Sequence, residues 1–227
     1  MTPLFPPAPT TLLPISGRDS GFPVRRVYCV GRNYAAHARE MGHDPDREPP
    51  FFFQKNPDNL ILGATVPYPV ATQDLHHEVE LVVALGSGGV DIPEGTALSH
   101  VFGYAVGVDL TRRDLQAQAK KAGRPWEVGK AFEHSAPISP IQPAVEIGHP
   151  AEGAVALDVN GARRQEGDLN QLIWSVPEVI ATLSRLFTLA PGDLIFTGTP
   201  AGVGPVVAGD RVDCTVEGVG SLSFAMT

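Results

Sequence analysis

Two carboxylates, Glu78 and Glu80, stand directly ahead of the apolar run Leu81 to Leu85 in the stretch LHHEVELVVALG. On a strand, side chains at i and i+2 share a face, spaced roughly 7 Å apart along it. Two acids that close repel, and burial would raise their pKa values. A divalent cation removes both penalties, and hard oxygen donors suit Mg2+, Mn2+ or Ca2+. Taken alone, the pair fits a solvated strand end better than a metal site. A third acid shifts the balance. Asp109 closes the apolar run in GYAVGVDLTRRDLQ, just before Thr111, at a strand-to-helix junction of the kind that often carries ligands. From that segment alone, capping of the following helix is an equally good account.

A further segment, CVGRNYAAHAREMG, places His37 and Glu40 at i and i+3, neighbours on one face if the segment is helical. A carboxylate beside an imidazole orients it as a base, although His-x-x-Glu on a surface helix is commonly an ordinary exposed pair. Lys55 ends FFFQK and Lys130 ends WEVGK; lysines after such runs usually snorkel to the surface. The stretch PGDLIFTGTPAGVGP sets two threonines and three glycines after a buried-looking strand. Its backbone N–H groups and hydroxyls could face an anion, or the loop could be a tight turn. It lacks the phosphate-loop pattern.

The elements that must position these groups are mostly strands. RRVYCVG, PFFFQK, VELVVALG, VFGYAVGVDL, AVALDVNG, GDLIFTG, DRVDCTVEG and GSLSFAM are strand-like runs, most of them bounded by Gly, Pro or Asp. A helix is expected over TRRDLQAQAKKAG, opened by a capping box of Thr111 and Asp114. A second is expected over SVPEVIATLSRLF, with Ser175, Pro177 and Glu178 at its start and Val179, Ile180, Leu183 and Phe187 on one face. A short helix is expected over YAAHAREMG. Strands and helices do not alternate regularly, which argues against a Rossmann sheet.

The 227 residues allow one large domain with an arm, and 43% apolar against 19% charged residues is a globular balance. A net charge of −8 argues against nucleic-acid and anionic-membrane partners. No run is long and apolar enough to span a bilayer. Cys29 and Cys214 read as reduced core thiols. The start, MTPLFPPAPTTLLP, has no basic n-region and reads as a Pro-rich arm lying on the surface, and the expected location is the cytoplasm.

Together, YCVGRNYAAHAREMG, LHHEVELVVALG, GYAVGVDLTRRDLQ, GRPWEVGKAFEHSAP, LDVNGARRQEGDLNQLIW and FTLAPGDLIFTGTPAGVGP resemble the fumarylacetoacetate hydrolase family, in order, from about Val27 to the C-terminus. The likeness is to its short branch of acylpyruvate and fumarylpyruvate hydrolases. One departure is Asn56, which separates Lys55 from Pro57 where members commonly have Pro directly after the lysine. The resemblance implies an α+β, β-rich fold: the mixed β-roll of the family's C-terminal domain with a few flanking helices. It implies an N-terminal arm over residues 1–24 and a single catalytic domain over 25–227. By the same likeness, Glu78, Glu80 and Asp109 bind Mg2+ or Mn2+, His37 and Glu40 activate water, and Lys130 completes the catalytic set. Arg32, Lys55, Arg113, Gln116 and Thr199 are the implied substrate contacts. The implied reaction is hydrolytic C–C cleavage of a 3-acylpyruvate such as fumarylpyruvate, in gentisate-type aromatic breakdown, by a homodimer. Rival expectations are acetylpyruvate hydrolysis, oxaloacetate decarboxylation, isomerisation of unsaturated oxo-diacids and, from another class, a catalytically silent metal-binding oligomer.

Overall fold

A computed structural model describes residues 2–36 and 48–227. Its frame is a six-stranded sheet in the order Gln142–Pro143, Val101–Val108, Val79–Leu85, Asp193–Phe196, Arg26–Gly31, Phe51–Lys55. Asp193–Phe196 and Arg26–Gly31 run parallel; the other neighbours are antiparallel. A five-stranded sheet, ordered Ala162–Asp168, Ala154–Val159, Arg211–Val216, Gly220–Met226, Thr65–Val66, packs against it. A small third sheet joins Thr111–Arg112, Leu75–His77 and Gly204–Val206. The fold is therefore the β-rich α+β class that the strand-like runs imply.

Alternation along Val79–Leu85 explains how the large sheet is buried on both faces. Leu81, Val83 and Leu85 enter the main core, where Val155, Leu157, Val212, Val216 and Phe224 of the five-stranded sheet meet them. Val82 and Ala84 point the other way, into a second core with Val27, Cys29, Leu194 and Phe196. That second core corrects the expectation of an arm on the surface. Residues 2–10 are exposed, but Leu12–Pro14 and Gly21–Pro23 pair as a hairpin, and Leu13, Ile15, Phe22 and Val24 are buried against the sheet. Cys29 and Cys214 are buried free thiols, as their apolar runs suggest.

Helix Val176–Leu186 begins as its sequence predicts. Ser175 is the N-cap, Pro177 lies in the first turn, and the Ser175 N–H donates to Glu178 Oε2 at 2.9 Å. Val179, Ile180 and Leu183 are buried in the main core, with Phe187 partly buried against it. The other predicted capping box does not form. Helix Arg113–Lys121 has Arg112 at its N-cap and no side-chain cap bond. Thr111 lies instead in a short strand paired with His76, and Asp114 accepts from the Thr72 hydroxyl at 2.7 Å and the Gln73 N–H at 3.2 Å. No helix among the described residues is long and apolar enough to cross a membrane.

Candidate active site

Pairing of Val79 with Val108 ends two neighbouring strands at the same level, and the ladder runs one step further: Asp109 N–H donates to the Glu78 carbonyl at 2.8 Å. This register brings together acids that lie far apart in sequence. Glu78, Glu80 and Asp109 are all buried, and one carboxylate oxygen from each lies within 4.8 Å of the others. The sequence left Asp109 between two roles; its side chain joins the acidic cluster.

Cations compensate the cluster, and here the expectation of snorkelling lysines fails. Lys130 and Lys55 are both 2% exposed. Lys130 Nζ donates to Glu78 Oε2 at 2.8 Å, to Asp109 Oδ2 at 2.7 Å and to Thr111 Oγ1 at 2.7 Å. Burial alone would lower its ammonium, but Asp109 and Glu78 hold it above its ordinary value. Lys55 Nζ lies 2.9 Å from Asp109 Oδ1 and donates to the Leu110 and Lys130 carbonyls. Arg113 donates to Glu78 and, at 2.6 Å, to Gln116 Oε1. Two lysines and an arginine thus surround three buried acids. A charge buried there without a partner would be prohibitive.

Of the two readings the sequence left open for the loop after Asp193–Phe196, its backbone does face an anion, but the anion is internal. Gly198 N–H donates to Glu80 Oε2 at 2.7 Å. Gly198 has φ +101°, and a Cβ there would lie 2.7 Å from Asn33 Cβ, so glycine is required. Thr197 and Thr199 hydroxyls donate to the carbonyls of Leu81 and Val79, clipping the loop to the acid-bearing strand. Burial, then Asp109 and Glu78, push the Glu80 carboxyl well above the usual carboxylate range.

Sequence reasoning missed Gln165, which is wholly buried within the otherwise polar strand Ala162–Asp168. Its Oε1 accepts from Val79 N–H at 3.1 Å and lies 2.8 Å from His77 Nδ1. Its Nε2 donates to Thr199 Oγ1 at 2.7 Å and to the Pro200 carbonyl at 2.9 Å. Strand alternation is the one signal that could have singled it out. Also missed was an aromatic floor. Trp126 meets Phe51 edge-on at 5.4 Å and lies 5.9 Å from Phe53, and all three rings line the pocket with the triad.

Of the eleven predicted site residues, the pocket gathers Arg32, Arg113, Gln116, Thr199 and Lys130 with Glu78, Glu80 and Asp109, and Lys55 lies directly behind Asp109. His37 and Glu40, with most of the helix expected to carry them, lie outside the described residues. The donor set fits a hard divalent cation: three carboxylates converge, and Asp109 Oδ1 is buried without a hydrogen bond despite its nearby lysine.

The family profile described as Fumarylacetoacetate (FAA) hydrolase C-terminal matches residues 26–226. The crystal structure of fumarylpyruvate hydrolase from Pseudomonas aeruginosa, in complex with Mn2+ and pyruvate, superposes with a TM-score of 0.97 at 54% identity, covering 100% of this chain and 99% of that one. A fumarylpyruvate hydrolase from Ralstonia sp is 46% identical over 189 residues, 82% of this chain and 98% of its own length. The mitochondrial oxaloacetate tautomerase of Mus musculus is 42% identical over 200 residues, 88% of this chain and 90% of its own.

Proposed function

Because the chain belongs to the fumarylacetoacetate hydrolase family, we propose that it is a divalent-metal-dependent hydrolase of 3-acylpyruvates, with fumarylpyruvate its substrate and fumarate and pyruvate its products. One observation carries this reading: three buried acids converge beside a lysine and an arginine, on a chain 54% identical to a fumarylpyruvate hydrolase with Mn2+ and pyruvate bound. Glu78, Glu80 and Asp109 would hold Mg2+ or Mn2+. When bound, the ion supplies Lewis-acid polarisation of the 2-oxo acid end of the substrate.

The chain's own groups supply the rest. Arg113 and Gln116, bonded to each other beside Glu78, orient the substrate's carboxylate. His37, steered by Glu40, takes a proton from water, and the oxygen attacks the carbonyl at the acyl end. Lys130 steadies the oxyanion that forms. Collapse of that oxyanion breaks the C–C bond. The electron pair leaves on the pyruvyl carbon as an enolate, which regains a proton to give pyruvate; the acyl group departs as the acid. Lys55 and Thr199 hold the surrounding geometry. The same reading takes residues 25–227 as the catalytic unit, with 1–24 as an arm whose hairpin packs into the second core, and puts a homodimer in the cytoplasm in gentisate-type aromatic breakdown.

The relatives named oxaloacetate tautomerases carry the second reading, keto–enol exchange of oxaloacetate, which needs proton transfer but no attack by water. Product analysis with fumarylpyruvate, acetylpyruvate and oxaloacetate separates the two. Fumarate and pyruvate are expected in equal amounts, lost after EDTA dialysis and restored by Mn2+. His37→Ala should slow hydrolysis by about 100-fold or more. Undiminished turnover in exhaustively dialysed protein would refute the metal, and oxaloacetate turnover alone would favour the second reading.

A further inference from the structure

Helix Arg113–Lys121 lays Arg113, Gln116 and Lys120 along one face, at i, i+3 and i+7, and all three line the pocket. From Arg113 to Lys120 the helix advances about 10 Å, a span comparable to an extended oxo-diacid. The two ends differ in charge balance. At the Arg113 end, three cations face three acids. At the far end, Lys120 Nζ lies 6.0 Å from the Trp126 ring centre, and Arg32 Cζ lies 5.2 Å from that of Phe51. Neither cation is in an ion pair among the described residues.

Two details show that this end is built. Arg32 has φ +57°, a left-handed conformation that non-glycine residues adopt at a cost and that clusters at ligand sites. The Phe51 ring lies against Gly31, where a Cβ would meet it at 2.1 Å, so ring and Arg32 backbone are locked together. Lys120 also carries the mark of like charge: burial, then Arg32 and Arg113, hold its ammonium below the ordinary value. An anion seated between them would relieve that repulsion.

We propose that Lys120 and Arg32, above the Phe51–Trp126 floor, form a second anion subsite that selects oxo-acids carrying a carboxylate at their far end. The apolar aromatic floor suits the carbon chain between the two ends, and the two cations take the terminal carboxylate. The inference rests on the reading of the Arg113 end as the seat of the 2-oxo acid group.

Two acids of equal length isolate the effect from catalysis. 2-Oxopimelate ends in a carboxylate, 2-oxoheptanoate ends in a methyl group, and neither has the second carbonyl that hydrolysis requires. Titration calorimetry on the Mn2+-loaded protein is expected to show 2-oxopimelate binding about 10- to 100-fold more tightly, the scale of a hydrogen bond between charged groups. Lys120→Met should bring that ratio close to one, and Lys120→Arg should keep most of it. Equal binding of the two acids by the unaltered protein, equal weakening of both by Lys120→Met, or binding of neither overturns the subsite. Whether fumarylpyruvate is cleaved is a separate readout, so failure of the hydrolase reading is distinguishable from failure of this one.

Discussion

Glu78 meets Lys130 and Arg113, and Asp109 meets Lys130 and Lys55, whereas Glu80 is held by the Gly198 backbone N–H. A carboxyl raised as Glu80 is keeps its proton in the folded chain at pH values where the unfolded chain has lost it. Stability of the metal-free protein should therefore fall as pH rises from the ordinary carboxylate range through the raised value. Glu80→Gln is expected to flatten that slope and to raise the metal-free melting temperature near neutral pH by a few degrees. Mn2+ affinity should drop by at least about 10-fold, the loss that even an outer-shell partner can cause. Melts across pH, with calorimetric Mn2+ titration, check both. Unaltered Mn2+ affinity would remove Glu80 from the ligand set. Glu78 and Glu80 drew notice in the sequence because a carboxylate ahead of an unbroken apolar run is locally costly, but a solvated strand end accounted for them more simply, and it was the family resemblance that joined them to Asp109 as ligands. Lys55 and Lys130 were not legible as buried groups, because a lysine after an aromatic run satisfies itself by snorkelling unless an acid elsewhere in the fold draws it inward.

Helix starts show the same dependence on context at the scale of elements. Ser175 caps its helix as its local chemistry dictates. Thr111 has equally suitable chemistry, but its backbone pairs with His76 in the small sheet and its hydroxyl is 2.7 Å from Lys130 Nζ. Tertiary pairing overrides the cap. Asp114, released from the box, anchors the helix to the preceding loop. Burial pushes its carboxyl up, but bonds from the Thr72 hydroxyl and from the Gln73 and Leu115 N–H groups outweigh this and leave it below the ordinary value. Its contribution is thus present above the usual carboxylate pKa and lost as pH falls through the lowered one. Asp114→Ala is expected to cost about 1–2 kcal/mol at neutral pH, a difference that narrows in acid. Denaturant titrations at both pH values measure it, and a cost that stays constant into acid would assign the effect to packing.

For the molecule as a whole, the strand-rich class was legible from the apolar runs and the Gly, Pro and Asp that bound them, even where, as in Val79–Leu85 and Asp193–Phe196, both faces are buried and no alternation shows. The second core was not. Leu13, Ile15, Phe22 and Val24 are spaced among prolines and polar residues, and their alternation emerges when the hairpin has a sheet to pack on. Phe22→Ala should therefore destabilise the protein by about 3–5 kcal/mol. Removal of residues 2–10, all exposed, should be close to neutral. Equal melting temperatures for Phe22→Ala and the parent would show that the hairpin is dispensable. Gln165 has a wider consequence. Its amide joins the five-stranded sheet to both the acid-bearing strand and the Thr199 loop. A slip of one residue in strand Ala162–Asp168 would turn Gln165 to the opposite face and bring Arg164 or Glu166 inward. The sheet that supplies none of the three acids thereby acts as a gauge for their spacing. Lengthening the distant Asn160–Gly161 turn enough to shift that register would be felt at the acids themselves, so the hairpin proofreads the assembly of a site to which it contributes no acid.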